Sequence, residues 1–157
     1  MSDVFIKIDG VDGESKDDSH EGEIDVIAWN WSLSQAGTFH HGGGGGAGKV
    51  AVGNLTFTHK ADLASPTLML FCARGEHISE ATLTVRKAGT DPLEYVVFKM
   101  TKCMVTDIVT TQNGNDVVED VTLNFAMAEY KYTSQADEGG ADTEKIFAWD
   151  IEKNVQA

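Results

Sequence analysis

The chain has 157 residues, enough for one domain with a sizeable core, and its 41% hydrophobic content is too rich for a disordered protein. Twelve basic against 25 acidic residues give a net charge of −13, which would repel DNA or RNA rather than attract it. No apolar run is long enough to cross a bilayer, and the N-terminus lacks a charged segment followed by an apolar one. These features exclude nucleic-acid binding and membrane insertion, and they predict synthesis in the cytoplasm with any export by a route that needs no leader.

The first part of the chain has the alternating pattern of β-strands. Val4, Ile6 and Ile8 alternate with less apolar residues and predict a first strand. A second strand is predicted over residues 20–34, with one aromatic face and one small polar face. The aromatic face consists of Asp25, Ile27, Trp29, Trp31 and Leu33, and the polar face of Ala28, Asn30, Ser32 and Ser34. A third strand is expected over residues 50–58, with a bulge at Gly53 because the apolar positions change parity there.

A glycine-rich segment separates the second and third predicted strands. Residues 43–49 match the first seven positions of the phosphate-binding pattern GxxxxGK, but Val50 replaces the Ser or Thr that would hold magnesium. A strand pattern follows, whereas a phosphate-binding loop opens a helix. The segment is therefore interpreted as a flexible arm between two strands, with no nucleotide or other cofactor bound.

The second half of the chain predicts one short helix followed by more strands. Ser65 suits an N-cap, Pro66 the first helical position and Gly75 the left-handed end, which together place a helix at about residues 66–74. Strands are expected over 76–87, 93–109, 117–133 and 144–151, with turns at 88–92 and 112–116. The pattern predicts a single all-β domain over residues 1–157: an antiparallel β-barrel of two packed sheets, closed or nearly closed.

The order of these landmarks resembles the haemolysin-coregulated protein (Hcp) family, whose members belong to the type VI secretion system. The match runs from end to end of the chain, and no single segment carries it. The segments that match include Phe5–Ile8, His20, Glu23–Val26, Trp29, Trp31, Gly48–Val50, Leu55–Thr58, Ser65–Met69, Arg86–Gly89, Leu93–Tyr95, Glu119–Ala126 and Asn154–Val155. The resemblance implies a non-enzymatic subunit of homohexameric rings, which stack into an inner tube expelled with the spike protein by a contractile sheath. It also implies that the ring lumen holds small effector proteins, and no C-terminal enzymatic extension is expected after the barrel.

Two groups of residues are the candidate functional sites under this resemblance. We expect the small polar side chains of Ala28, Asn30 and Ser32 to line the channel of the ring and contact cargo. Ordering a glycine-rich arm costs about 1–2 kcal/mol per residue, so the arm should become ordered only against a partner. The resemblance assigns it to contacts between subunits and stacked rings; it consists of Phe39, His40, His41, Gly42, Gly43, Gly44, Gly45, Gly46, Ala47, Gly48 and Lys49.

Other chemistry is weakly indicated. The five histidines lack the spacing of a metal site, so no metal is expected. Cys72 and Cys103 lie in apolar surroundings and are expected to be free thiols, and no local catalytic signature surrounds either of them or Ser65. The main alternative function is a stand-alone binding module with a small-ligand site at the barrel mouth. An enzyme is third, and a nucleotide-hydrolysis activity lost on Lys49→Ala would support it.

Overall fold

The computed structural model describes residues 2–40, 48–89 and 92–157. Within these ranges the backbone forms eleven β-strands and one α-helix, which confirms the predicted all-β class with a single short helix. The elements are β1 (Ser2–Ile8), β2 (Ile24–Asp25), β3 (Ala28–Asn30), β4 (Leu33–Ser34), β5 (Ala51–Val52), β6 (Leu55–Lys60), α1 (Ala64–Arg74), β7 (Ile78–Lys87), β8 (Glu94–Asn113), β9 (Asp116–Gln135), β10 (Ala141–Asp150) and β11 (Val155–Gln156). No helix in the described ranges is long and apolar enough to span a membrane.

Nine strands form one antiparallel sheet in the order β11-β10-β9-β8-β7-β1-β2, with β6 joined to β9 and β3 joined to β6. A separate ribbon consists of β4 and β5. The predicted barrel is not closed, because β2 pairs with β1 whereas β3 pairs with β6. Two backbone hydrogen bonds bridge this gap, from Val26 N to Val4 O (2.9 Å) and from Ile27 N to Thr58 O (2.8 Å). The chain thus changes partner strand between two consecutive residues, which interrupts the ladder that a closed barrel needs.

This change of partner also breaks the second predicted strand. Ile24 is buried, whereas Ile27 is 56% exposed, and Trp29 and Trp31 are half-buried against the core. The prediction that Ile27 shares a face with the two tryptophans is therefore wrong. An irregularity in a strand shifts the side-chain alternation by one position, and this happens between Ile27 and Ala28, which are both exposed.

The irregularity predicted at Gly53 is confirmed. It separates β5 from β6, and Gly53 N donates a hydrogen bond to Ser32 O at 2.8 Å. A Cβ at this position would lie only 2.9 Å from the same carbonyl oxygen. Glycine is required here because the backbones of residues 32 and 53 approach so closely.

The helix begins earlier than predicted. It starts at Ala64, so Ser65 lies inside its first turn, and the prediction of Ser65 as the N-cap is wrong. Asp62 Oδ1 accepts a hydrogen bond from Ala64 N at 2.8 Å, and Ser65 Oγ accepts one from Asp62 N at 3.0 Å. Two otherwise free backbone donors are thereby satisfied, in the reciprocal manner of a capping box. The predicted C-terminal end at Gly75 is confirmed by its left-handed conformation, with φ 62°.

The long hairpin of β8 and β9 supports the core. Each strand has 20 residues, and the turn that joins them contains Gly114. Its φ of 67° is a left-handed conformation that glycine adopts most readily. Inward side chains of both strands meet those of β1, β6 and β7, and α1 lies against β8. The largest fully buried side chains include Phe57, Leu68, Leu83, Phe98 and Leu123.

The segment between β1 and β2 is ordered although it forms neither strand nor helix. Gly13 N donates to Gly22 O at 2.8 Å, Gly22 N donates to Ser15 O at 2.8 Å, and Ser15 N donates to Glu23 O at 2.9 Å. These bonds fold the segment back on itself and present His20 to the main sheet. We call residues 10–23 the β1–β2 loop.

Candidate functional site

A polar surface forms where β3, β6 and β9 lie side by side. Ala28 is paired with Thr58 and Asn30 with Thr56, while Thr56 Oγ1 lies 3.2 Å from Thr122 Oγ1. Ala28 and Asn30 are exposed. We call this surface the polar face; it consists of Ala28, Asn30, Thr56, Thr58, Asp120 and Thr122. Short, mostly uncharged side chains cover it, so it can offer hydrogen bonds to a partner without strong electrostatic selectivity.

The three predicted channel residues are close together in the structure. Ala28 and Asn30 belong to the polar face, and Ser32 follows as an exposed residue just beyond the end of β3. The two intervening tryptophans, Trp29 and Trp31, pack against the hydrophobic core. The indole N–H of Trp31 donates a hydrogen bond to Gly53 O at 3.0 Å, which joins the residue after β3 to the residue after β5.

Part of the predicted arm falls outside the described residues, namely His41, Gly42, Gly43, Gly44, Gly45, Gly46 and Ala47. Phe39, His40, Gly48 and Lys49 are described, and Phe39 is fully exposed. The arm extends from the ribbon of β4 and β5, in which Leu33 pairs with Val52 and Ser34 with Ala51. The residues after the arm form β5 and β6, not the helix that a phosphate-binding loop requires.

An aromatic groove lies on the opposite side of β3 from the polar face, and sequence reasoning missed it as a site. It has a volume of about 330 Å³, and its lining consists of Trp29, Trp31, Leu33, Tyr130 and Phe147. The Trp31 ring lies 6.3 Å from both the Tyr130 and the Phe147 rings. The sequence contains one signal for this groove, the alternating aromatic residues in Tyr130-Lys131-Tyr132 and in Phe147-Ala148-Trp149. The groove forms because the strands pair Tyr130 with Phe147, and this pairing could not be read from the sequence.

A charged cluster holds the β1–β2 loop to the main sheet. His20 Nδ1 lies 2.9 Å from Glu23 Oε2, and His20 Nε2 lies 2.7 Å from Glu94 Oε2. A neutral imidazole has only one N–H donor, so two carboxylate partners favour the protonated ring. Burial lowers the pKa of His20, but the hydrogen bonds to Glu94 and Glu23 outweigh it and raise the pKa above its usual 6.5.

Arg86 completes this cluster from β7. Its guanidinium donates to both carboxylate oxygens of Asp17, at 2.8 and 2.6 Å, and to Asp3 at 3.1 Å. The hydrogen bonds from Arg86 lower the pKa of Asp17 to about 2. Phe5 lies between the two cations: its ring stacks on His20 at 4.4 Å and lies 5.1 Å from the Arg86 guanidinium. The β1–β2 loop is therefore held by charge as well as by backbone hydrogen bonds.

The His20 contacts predict a specific pH dependence of stability. Because the folded pKa is raised, the stabilisation is complete below the unfolded pKa of about 6.5 and is lost as the pH rises through the folded value. We expect the urea concentration at the midpoint of unfolding to fall as the pH rises through the folded pKa of His20. The variant His20→Gln should lack the part of this fall that His20 causes. His77→Gln, at an exposed histidine, is the control and should keep the full pH dependence. An unchanged pH dependence in His20→Gln would contradict the assignment.

A second histidine is fully buried. His59 Nε2 lies 3.0 Å from Glu119 Oε1, and its Nδ1 lies 3.7 Å from Asp62 Oδ1. His59 and Glu119 are 0% and 1% exposed, and neither ring N–H points along the line of a well-formed hydrogen bond. Thr110 Oγ1 donates to Glu119 Oε2 at 3.3 Å. The His59–Glu119 pair is placed to connect β6, β9 and the start of α1, and its enclosure makes it a structural element rather than a site for a ligand.

The remaining candidates for chemistry are poorly placed for it. Both cysteines are free thiols; burial raises the pKa of Cys103 to about 12, which leaves it protonated and unreactive at neutral pH. Ser65 is engaged in capping α1. In the described ranges, no three His, Cys, Asp or Glu side chains are grouped so that they could hold a metal ion. An open depression of about 750 Å³ does lie beside Cys103, between Met104, Phe125 and Glu152.

Comparison with known proteins assigns the chain to a family. Residues 5–132 match the sequence model of the family described as "Type VI secretion system effector, Hcp". Protein hcp1 of Pseudomonas aeruginosa is 45% identical over 159 aligned positions, which cover 99% of this chain and 98% of the relative. The crystal structure of Hcp1 from Salmonella typhimurium is similar at 38% identity and a TM-score of 0.82, over 99% of each chain.

A second solved structure agrees with these comparisons. The crystal structure of a type VI secretion system effector from Yersinia pestis is 33% identical, with a TM-score of 0.78 over 95% of this chain and all of that one. The family match covers most of the chain, and the relatives match it over their whole length in both sequence and fold. The chain therefore belongs to the Hcp family of type VI secretion system proteins.

Proposed function

We propose that the protein is a structural subunit of the type VI secretion inner tube, with no catalytic activity. Its copies form hexameric rings, and the rings stack into a tube that a contractile sheath expels together with the spike protein. The protein is made in the cytoplasm and leaves the cell as part of this tube. Small effector proteins bind in the lumen of the ring before delivery.

The observation that carries the proposal is the polar face, which lies beside the ribbon of β4 and β5. A lumen that accepts different cargo proteins needs a surface with hydrogen-bonding groups and few fixed charges, and the polar face has these properties. Its threonines pair across strands at 3.2 Å, so the surface is already ordered before cargo arrives. The ribbon of β4 and β5 follows β3 along the chain. Its exposed Leu33 is available for contact with a neighbouring subunit.

The net charge of −13 constrains how copies pack. Like-charged clusters cannot meet across an interface without a cost of several kcal/mol. Two of the exposed basic side chains, Lys60 and Lys99, already lie within 3.6 Å of acidic partners of their own chain. Subunits must therefore meet through apolar surfaces or through surfaces of opposite charge.

The first test is the mass of the purified protein by light scattering, read with negative-stain electron microscopy. We expect particles of six 17.0 kDa subunits with a central hole. A monomer at high concentration would contradict ring formation and would favour a stand-alone binding module. The depression beside Cys103 would then be the place to look for a small ligand.

The lumen assignment has its own test at Asn30. Asn30→Gln and Asn30→Glu should leave rings intact, because the side chain is exposed and the strand pairing is kept. Effector retention should fall about tenfold, the effect of losing a contact worth somewhat more than 1 kcal/mol. Asn115→Gln, at the exposed tip of the β8–β9 hairpin, is the control. Co-purification of an effector with ring protein measures the effect, and equal retention by all variants would contradict a lumen position for Asn30.

A further inference from the structure

The helix α1 presents apolar side chains to solvent. Arg74 is its only charged residue, and its inner side packs into the core through Ala64 and Leu68, which are fully buried. The outer side is exposed and apolar. We call it the helix face; it consists of Leu63, just before α1, and of Pro66, Met69, Leu70 and Ala73. A surface helix has polar residues on its outer side, whereas a helix that is apolar all round is buried, so the helix face has the character of a surface that a partner covers.

The helix face and the polar face lie on opposite sides of the sheet. Leu68 of α1 belongs to the same core as Phe57 and Leu123, which point inward from β6 and β9. The strand neighbours of these two residues, Thr56 and Thr122, point the other way and belong to the polar face. In the ring proposed above the polar face lines the lumen, so the helix face is turned to the outer wall. A partner that covers it reaches the ring from outside.

Carboxylates flank the helix face at the N-terminal end of α1. An open depression of about 460 Å³ lies there, and Glu14 Oε2, on its lining, accepts a hydrogen bond from Leu63 N at 2.8 Å. We call it the acidic depression; its charged lining residues are Glu14, Asp25, Lys60 and Asp62. The one ammonium among these four residues lies 3.6 Å from Asp116 Oδ2, so the three carboxylates have little compensation. Near the other end of α1, Arg74 pairs with Glu76 at 3.6 Å, so the negative charge is concentrated at one end.

The environment of Asp62 indicates that this depression suits a cation. Burial raises the pKa of Asp62, and repulsion by Glu14 and Glu119 adds to this effect, against the hydrogen bond from Ala64 N and the nearby His59. A Lys or Arg side chain in the acidic depression would offset the repulsion. A second copy of this chain, with its net charge of −13, would bring more carboxylates to the same surface, so the charges favour a different protein.

We propose that the helix face and the acidic depression together dock a different protein on the outer wall of the ring. The docked segment is amphipathic: its apolar side chains cover the helix face, and a Lys or Arg side chain enters the acidic depression. This contact rests on the proposed function, in which the protein that surrounds the ring is the contractile sheath. Because the carboxylates lie at one end of the helix face only, they fix the direction in which the segment lies along it.

Photo-cross-linking identifies the partner. A benzophenone amino acid is introduced at Leu70, and the rings are assembled with the sheath proteins of the same secretion system. We expect cross-links from residue 70 to a sheath chain, at a peptide with Lys or Arg close to apolar residues. The control is the same amino acid at Val109, which is 48% exposed like Leu70 but pairs with Asp120 of the polar face and should give no sheath cross-link. Cross-links from residue 70 to another copy of this chain would overturn the proposal.

Two variants measure the apolar part of the contact. Leu70→Gln and Val109→Thr each place a polar side chain of similar size at an exposed position and keep the helix or strand preference, so both should fold and form rings. Leu70→Gln should weaken the binding of soluble sheath subunits to immobilised rings about tenfold, whereas Val109→Thr should bind like the wild type. Equal binding by the two variants would contradict docking on the helix face.

A third variant, Glu14→Gln, tests the charged part. Glutamine keeps an oxygen that can accept the hydrogen bond from Leu63 N, but it removes the charge. Raising the salt concentration from about 0.1 M to about 1 M shortens the Debye length from about 10 Å to about 3 Å, so wild-type rings should lose sheath binding and Glu14→Gln should respond less. Glu138→Gln, in the exposed turn between β9 and β10, is the matched control and should keep the wild-type response. A full salt response in Glu14→Gln would overturn the role of the acidic depression.

The outcomes separate this proposal from the proposed function. Rings of Leu70→Gln that bind sheath subunits as tightly as wild-type rings would overturn the docking surface and leave the tube subunit standing. A wild-type protein that stays monomeric at high concentration would contradict the ring itself, and with it this contact. Far-UV circular dichroism and negative-stain images of each variant confirm that the comparison is made between folded, assembled chains.

Discussion

Replacing His59 with leucine is expected to lower the free energy of unfolding by about 3 kcal/mol, because it removes the imidazole that lies 3.0 Å from the buried Glu119 side chain. The change leaves the Glu119 carboxylate, 1% exposed, with only the Thr110 hydroxyl as a partner. Glu119→Leu should destabilise less, because Asp62 remains 3.7 Å from the imidazole. Urea unfolding at one fixed protein concentration measures both, since assembly itself contributes to the apparent stability.

The double variant is the informative control for this pair. With leucine at both positions neither buried polar side chain is left without the other, and the two leucines have volumes close to those of the side chains they replace. Such exchanges are often neutral or stabilising, so the double variant should regain most of the stability that either single variant loses. A double variant as unstable as the sum of the singles would show that residues 59 and 119 contribute independently.

Gly13→Ala is expected to destabilise the protein by about 2–3 kcal/mol, near the upper end of ordinary single substitutions. An added Cβ would lie 2.4 Å from Glu23 O and 2.7 Å from its carbonyl carbon, and neither backbone atom can move aside without opening the β1–β2 loop. The loop carries His20, so its charged contacts should weaken together with its backbone bonds.

The matched control for this substitution is Gly37→Ala. A Cβ at Gly37 would have no atom within 4 Å, so the change should stay within about 0.5 kcal/mol of the wild type. Thermal and urea unfolding of the two variants give the comparison. If both substitutions had equally small effects, the close approach of residues 13 and 23 would not be important for stability.

Local patterns predicted the parts of the fold that local forces determine. The strand predicted over residues 76–87 corresponds to β7, the turn predicted at 112–116 corresponds to the tip of the β8–β9 hairpin, and Gly75 ends the helix. The break between β5 and β6 at Gly53 was also visible as a change of parity. In each case the signal and the structure that it predicts lie within a few residues of each other.

The sequence could not show features that depend on distant pairing. Nothing near Val26 indicates that the chain leaves β1 there and continues against β6, which is why a closed barrel was expected. The aromatic groove depends on the register between β9 and β10, and the His59–Glu119 pair on the register between β6 and β9. The candidate channel residues were proposed from the alternation of Ala28, Asn30 and Ser32, of which the first two lie in β3.

The sheet order has a consequence for how the chain folds as it is synthesised. β1 pairs along its whole length with β7, so that Ser2 lies opposite Lys87. The first strand therefore waits for more than half of the chain to leave the ribosome before it finds its partner, whereas the β8–β9 hairpin closes through a turn of two residues. Topologies with such distant pairings fold slowly, and their unpaired strands are exposed to aggregation in the meantime. β7 leaves the ribosome before the β8–β9 hairpin that pairs with it, and β9 ends only at Gln135, so a subunit becomes competent to assemble only after its synthesis is nearly complete.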